Sequence, residues 1–186
     1  MKPLLSLLLG LCFLSASSQD TTTIMMKHQM LKEWERAKAY TDEYLEAMPA
    51  DKYGFRPTDS VRSFAQQMFH LSFATVALIT IGTGTSDTML LKFFISHNPE
   101  NMPADQNKDS VVRYVNLSYD FAMRTIGNMD FNNLSQIAVQ RLPGGVRSET
   151  RLAWLLKAFE HQTHHRGQCT VYLRLEGVNP PAERLF

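Results

Sequence analysis

Between Leu71 and Ile81 no residue is charged, and the only polar side chains are Ser72, Thr75 and Thr80. Wound as a helix, this stretch is apolar nearly all round. Such a helix has no face to turn to water, so it belongs in the centre of a bundle. That requirement limits the fold class, because the rest of the chain has to supply the elements that surround it.

The remaining segments fit that role. A first helix is expected over about Thr23 to Ala47, where Met26, Met30, Leu31, Trp34, Ala37 and Leu45 recur near the helical period and Pro49 follows the end. The apolar run belongs to a second helix, with Thr58 as its expected N-cap and Gly82-Thr83-Gly84-Thr85 as its end. A short helix fits Thr88 to Ile95. A third long helix fits Asp109 to Gly127, with Val112, Val115, Tyr119, Ala122 and Ile126 as its stripe. Leu134 to Val139 is ambiguous between helix and extended chain, and Leu142-Pro143-Gly144-Gly145 reads as a turn. The last helix is expected after Val146, capped by Ser148, running to Glu176 and stopped by Gly177 with Pro180-Pro181 beyond. The fold class is therefore all-α: a four-helix bundle with a short extra helix and long loops.

Residues 1–18 stand apart from this domain. Lys2 precedes an apolar run from Leu4 to Leu14, and Ala16-Ser17-Ser18 places small residues where a signal peptidase cuts. This is the pattern of a secretory leader, too short for a good membrane span. The expected division is a signal peptide over 1–18 and one domain over 19–186, exported to the periplasm or the outside, with no integral membrane segment after processing. Cleavage removes Cys12 and leaves Cys169 as the single cysteine, so no disulfide forms within the mature chain. It also removes Lys2, taking Lys+Arg from 19 to 18 against 18 Asp+Glu. A neutral chain without like-charge blocks gives no reason to expect nucleic acid as a partner.

The chemistry concentrates in Glu160-His161-Gln162-Thr163-His164-His165-Arg166-Gly167-Gln168. At about 100° per residue, His161 and His165 lie about 40° apart around the helix and one turn apart along it. Two imidazoles so placed can share one metal ion. Trp154, Ala158, Gln168 and Tyr172 fall on the same face, while His164 points about 100° away from His165. Neither H-E-x-x-H nor another protease pattern is present, because Gln162 fills the second position. Glu160 is spaced to pair with His164, Arg166 to make a structural ion pair, and Cys169 to act as a small buried hydrophobe. His28 and His97 read as surface residues. His70, mid-helix with Ala74 and Ala77 on its side, suits a third ligand. On the residues alone it equally suits a buried histidine satisfied by a neighbour such as Gln66.

Taken together, these segments resemble the DinB/YfiT-like superfamily. The resemblance is carried by Phe55-Arg56-Pro57-Thr58, Val61-Arg62-Ser63-Phe64 and Met68-Phe69-His70, then by His161 to Gln168, Tyr172-Leu173-Arg174-Leu175 and Gly177 to Pro181. It implies a four-helix bundle, often a homodimer, with one divalent metal held by three histidines, which by position are His70, His161 and His165. Members include transferases that use low-molecular-weight thiols and a maleylpyruvate isomerase. Zinc is the expected ion and nickel the next, since imidazole suits several metals. Three neutral imidazoles leave a position open for water or substrate, as in catalytic rather than structural sites. Ligation is expected to weaken below the ordinary histidine pKa of about 6.5.

Two functions stay open on this reading. One is a metal-dependent transferase or hydrolase acting on a small molecule; the other is a non-catalytic metal-binding or interaction protein built on the same bundle. No catalytic general base is evident among the motif residues, and an accessible metal-centred pocket would favour the enzyme. The leader itself makes a direct prediction: exported protein should have the intact mass of a chain starting at or near Gln19, and a mass retaining Met1 would contradict it.

Overall fold

The computed structural model describes the backbone of residues 2–98, 102–142 and 144–186, with side chains from Thr21 onward apart from Leu142. The leader read over residues 1–18 therefore lies outside the described side chains. Four long helices form the bundle: α1 (Lys2–Ala47), α2 (Phe64–Thr83), α4 (Lys108–Asn128) and α5 (Arg151–Leu175). A short α3 (Thr88–Ser96) lies between α2 and α4, and an antiparallel hairpin of β1 (Ile137–Leu142) and β2 (Gly145–Thr150) precedes α5. The all-α bundle with a short extra helix is thus the observed architecture. The first helix runs further back than Thr23, because no glycine or proline breaks the chain between Gly10 and Pro49.

α2 is the central element. It packs against α5 and α4, and α1 packs against the same two helices from the other side. No residue of α2 is exposed. Its length and mean hydropathy of 1.3 would suit a membrane span, but here the neighbouring helices cover it. At its C-terminal end α2 meets the start of α5 very closely: a Cβ on Gly82 would stand 3.0 Å from Leu155 Cδ2 and 3.1 Å from Trp154 Cβ. Gly82 therefore lets the two helices touch. Gly84, at φ 74°, ends α2 by donating its N–H to the Thr80 carbonyl.

The start of α2 differs from the sequence expectation. The cap is Ser63, not Thr58. Ser63 Oγ accepts from the Gln66 N–H, and Gln66 Oε1 accepts from the Ser63 N–H at 2.9 Å, a reciprocal capping box. The next two amides of the helix are also satisfied, Phe64 N–H by the Phe55 carbonyl at 3.0 Å and Ala65 N–H by the Tyr53 carbonyl at 2.8 Å. Residues 53–62 thus form a folded loop docked on the helix start. Thr58 spends its hydroxyl on Ser60, 3.0 Å away.

The hairpin is the second difference. The ambiguous stretch after Leu134 is strand, and Ser148 sits in β2 opposite Val139. The true cap of α5 is Thr150, whose side chain accepts from Ala153 N–H at 3.1 Å. Trp154 Nε1 donates to the Ala138 carbonyl at 3.0 Å, and Leu152 N–H donates to the Leu134 carbonyl at 3.0 Å. These bonds fix where α5 begins. At its other end Gly177 takes φ 73°, with Val178 N–H on the Leu173 carbonyl and Gly177 N–H on the Arg174 carbonyl, a Schellman ending. Ser63→Ala should lower unfolding stability by about 1 kcal/mol, and Thr58→Ala by less than about 0.5 kcal/mol, in urea denaturation. Equal losses would return the cap to Thr58.

Candidate metal centre

The antiparallel contact of α2 and α5 brings His70 against His161 and His165. Ring centroids lie 5.2 Å apart for His70 and His161, 4.6 Å for His70 and His165, and 4.4 Å for His161 and His165. One nitrogen from each ring falls within 4.8 Å of the other two. Nitrogens bound at about 2.0–2.1 Å around a tetrahedral ion stand about 3.4 Å apart, so small ring movements would close the triangle. These three histidines could hold a metal ion. The other three stay outside the cluster: His28 is exposed, His97 is half-buried at the end of α3 against the Phe93 carbonyl, and His164 is exposed.

The residues around the triangle suit a cation. His165 Nδ1 lies 2.8 Å from Gln67 Oε1. Because an amide oxygen only accepts, Nδ1 carries the proton and Nε2 is left as the ligand atom. Gln67 is itself held, donating through Nε2 to the Tyr172 hydroxyl at 3.2 Å, while that hydroxyl donates to the Arg62 carbonyl at 2.6 Å. His161 Nδ1 is buried and has no hydrogen-bond partner. Such an orphan is costly, and a metal bond or ordered water would relieve it. Burial, reinforced by the neighbouring histidines, holds His161 at about 4 and His165 at about 3. Both rings are therefore neutral at pH 7, the form that ligates.

The opposite side of α5 is also buried and polar. Gln162 and Arg166 point toward α1 and α4, one position along from His161 and His165. Arg166 Nη1 donates to Gln162 Oε1 at 2.9 Å and approaches the Ala37 carbonyl and Thr41 Oγ1 at 3.3 and 3.4 Å. Its guanidinium carbon lies 4.6 Å from the Tyr40 ring centroid. Tyr119 completes the cluster, donating to Gln162 Oε1 at 2.8 Å. The ion pair expected of Arg166 is replaced by neutral acceptors and an aromatic face, which its delocalised, weakly hydrated charge can accept. This cluster fixes the rotation of α5 and so the aim of both histidines.

Other expectations divide. Cys169 is fully buried, and desolvation pushes its thiol far up, as for a packed hydrophobe. His164 pairs with Gln168, Nε2 to Nε2 at 3.1 Å, rather than with Glu160. Gln67 was not singled out by sequence, although its place one turn before His70 puts it on nearly the same face. Gln66, the neighbour considered for His70, is committed to the cap and to Arg56.

The profile of the DinB family matches residues 18–184, and the chain belongs to that family. No curated protein matches it in sequence. Solved structures do. A DinB-like protein from Bacillus cereus is 18% identical, with a TM-score of 0.63 over 83% of this chain and 95% of that one. A DinB-like protein from Bacillus subtilis is 17% identical, with a TM-score of 0.55 over 85% and 96%. A conserved protein from Enterococcus faecalis is 17% identical, with a TM-score of 0.62 over 80% and 95%. At these identities the likeness shows the fold.

His70→Ala, His161→Ala and His165→Ala should each sharply reduce bound metal by elemental analysis, whereas His164→Ala should leave it unchanged. Gln67→Ala should keep the ligands but weaken affinity by about 10–100-fold. Because two of the three rings titrate far below 6.5, acidification of loaded protein should release the ion well below that pH. Release centred at 6.5, or metal content indifferent to all three histidines, would contradict this assignment.

Proposed function

We propose that this chain is a metal-dependent enzyme that transfers or hydrolyses a group on a small molecule, with one divalent ion held by His70, His161 and His165. The observation that carries the reading is accessibility. His165 lies both in the histidine triangle and in the wall of an open cavity of about 740 Å³. Trp154, one of the side chains that could seal the site, is bonded to the hairpin, and the Tyr172 hydroxyl is held between Gln67 and the Arg62 carbonyl. A purely structural ion would gain nothing from such an opening.

Zinc or nickel is the expected ion; when bound, it supplies a Lewis acid that polarises an electrophile or lowers the pKa of a group it holds. The chain does the rest. Gln67 keeps the proton of His165 on Nδ1, and the buried Arg166 cluster prevents α5 from turning. Gln168 Nε2 donates to His164 Nε2, which leaves the proton of His164 on Nδ1. His164 stands on the rim of the cavity without belonging to the triangle, and it is placed to accept and return a proton at Nε2 when Gln168 turns its amide away. The enzyme works after export, as the leader implies.

Metal-loaded protein should be screened against small electrophiles with and without an added low-molecular-weight thiol. Thiol-dependent turnover identifies a transferase, and thiol-independent turnover a hydrolase. His164→Ala should retain metal yet lower kcat by about 10²-fold. If wild type binds metal but turns over nothing under either condition, the second reading, a non-catalytic metal-binding protein, is the better one.

A further inference from the structure

The cavity beside His165 is walled on one side by the loop that leads into α2 and on the other by the outer side of α5. Among the described residues, two arginines of that loop, Arg56 and Arg62, line it together with one carboxylate, Asp59. His165 adds little positive charge at neutral pH, since burial keeps it unprotonated.

Both arginines sit on anchored chain. Arg56 Nη2 donates to Gln66 Oε1 at 2.8 Å, and Nη1 lies 3.4 Å from the Asp59 carbonyl. Gln66 is in turn fixed by the capping box. The acceptors that orient Arg56 are neutral, so they place its charge without cancelling it. The Arg62 backbone is tied down by the Tyr172 hydroxyl. The positive charge of Arg62 reaches the triangle, where it helps to depress both His161 and His165. The wall between arginines and triangle is amide: Gln67, and Gln168 with a buried Oε1 that has no partner.

We propose that Arg56 and Arg62 form an oxyanion-recognition site, and that the small molecule handled at the histidine centre is held there by a carboxylate or phosphate group. Guanidinium forks match both groups in geometry. The proposal rests on the metal reading only for the reacting end of the molecule; the oxyanion site needs no ion.

The test is calorimetric titration of the metal-free full chain, at low salt, with succinate, inorganic phosphate and neutral succinamide. Saturable binding of succinate or phosphate, but not succinamide, is expected, and the stronger of the two anions identifies the group. Arg56→Met and Arg62→Met should each weaken that binding at least about tenfold, and added salt should weaken it further. Arg62→Lys, which keeps the charge, should retain part of it, with circular dichroism confirming the fold of each variant. His70→Ala should lose metal and still bind the anion. Absence of anion binding in wild type, or binding as tight as wild type in both methionine variants, would overturn the proposal even if metal binds normally. Anion binding in a wild-type chain that takes up no metal would remove the metal reading and leave this one standing.

Discussion

The burial of α2, none of whose residues is exposed, is the constraint from which the rest of the molecule follows. Such a helix has to place its polar side chains inside the protein, and the hydroxyls of Thr75 and Thr80 are left there without a hydrogen-bond partner. Ser72 and Ser63 bond locally, on the Met68 carbonyl and in the cap. His70 and Gln67 reach across to another helix. They face α5, and α5 answers with His161, His165 and Tyr172. The polar triangle is therefore a consequence of putting a histidine and a glutamine on a central helix, and Gly82 sets how closely the answering helix can come.

α5 carries two polar pairs at the same i, i+4 spacing, offset by one residue. His161 and His165 look toward α2, and Gln162 and Arg166 toward α1 and α4. A helix buried on both sides can turn only if both sets of contacts change together. The Arg166 cluster is costly to desolvate, since its charge meets only neutral acceptors and the Tyr40 ring. Its return is angular: rotation of α5 by one position would bury His164 and expose an arginine already bonded to two helices. The register of the histidine pair is thereby held from behind.

What could be read from sequence followed from local periodicity. The i, i+4 geometry of His161 and His165 needs only the helical angle, and the exclusion of His164 follows from the same arithmetic. The central position of α2 was legible because eleven uncharged residues leave no alternative. His70 was legible only through resemblance, because a mid-helix histidine looks the same whether it binds a metal or a carbonyl. The caps were misjudged for a related reason. Thr58 and Ser63, or Ser148 and Thr150, are chemically equivalent candidates, and the choice was made by distant partners: the carbonyls of Tyr53 and Phe55 in one case, the pairing of β2 with β1 in the other. The tie between Gln67 and His165 spans 98 positions of sequence and leaves no local trace.

The triangle also bears on stability. Three imidazoles crowded without an ion are an unfavourable arrangement: desolvation resists protonating His161 and His165, and the buried Nδ1 of His161 has no partner. A cation held by nitrogens from α2 and α5 would give that nitrogen a partner and stabilise the folded chain by an amount that grows with the logarithm of its free concentration. The helices that would gain are the two already in closest contact. Cys169 is free and buried, so among the described residues no disulfide links the helices, and an ion bridging that contact would supply a cross-link at the edge of the cavity where His165 meets solvent. Ligand entry and bundle stability would then be coupled through a single residue, His165, whose ring is fixed on one nitrogen by Gln67 and is open to the ion on the other.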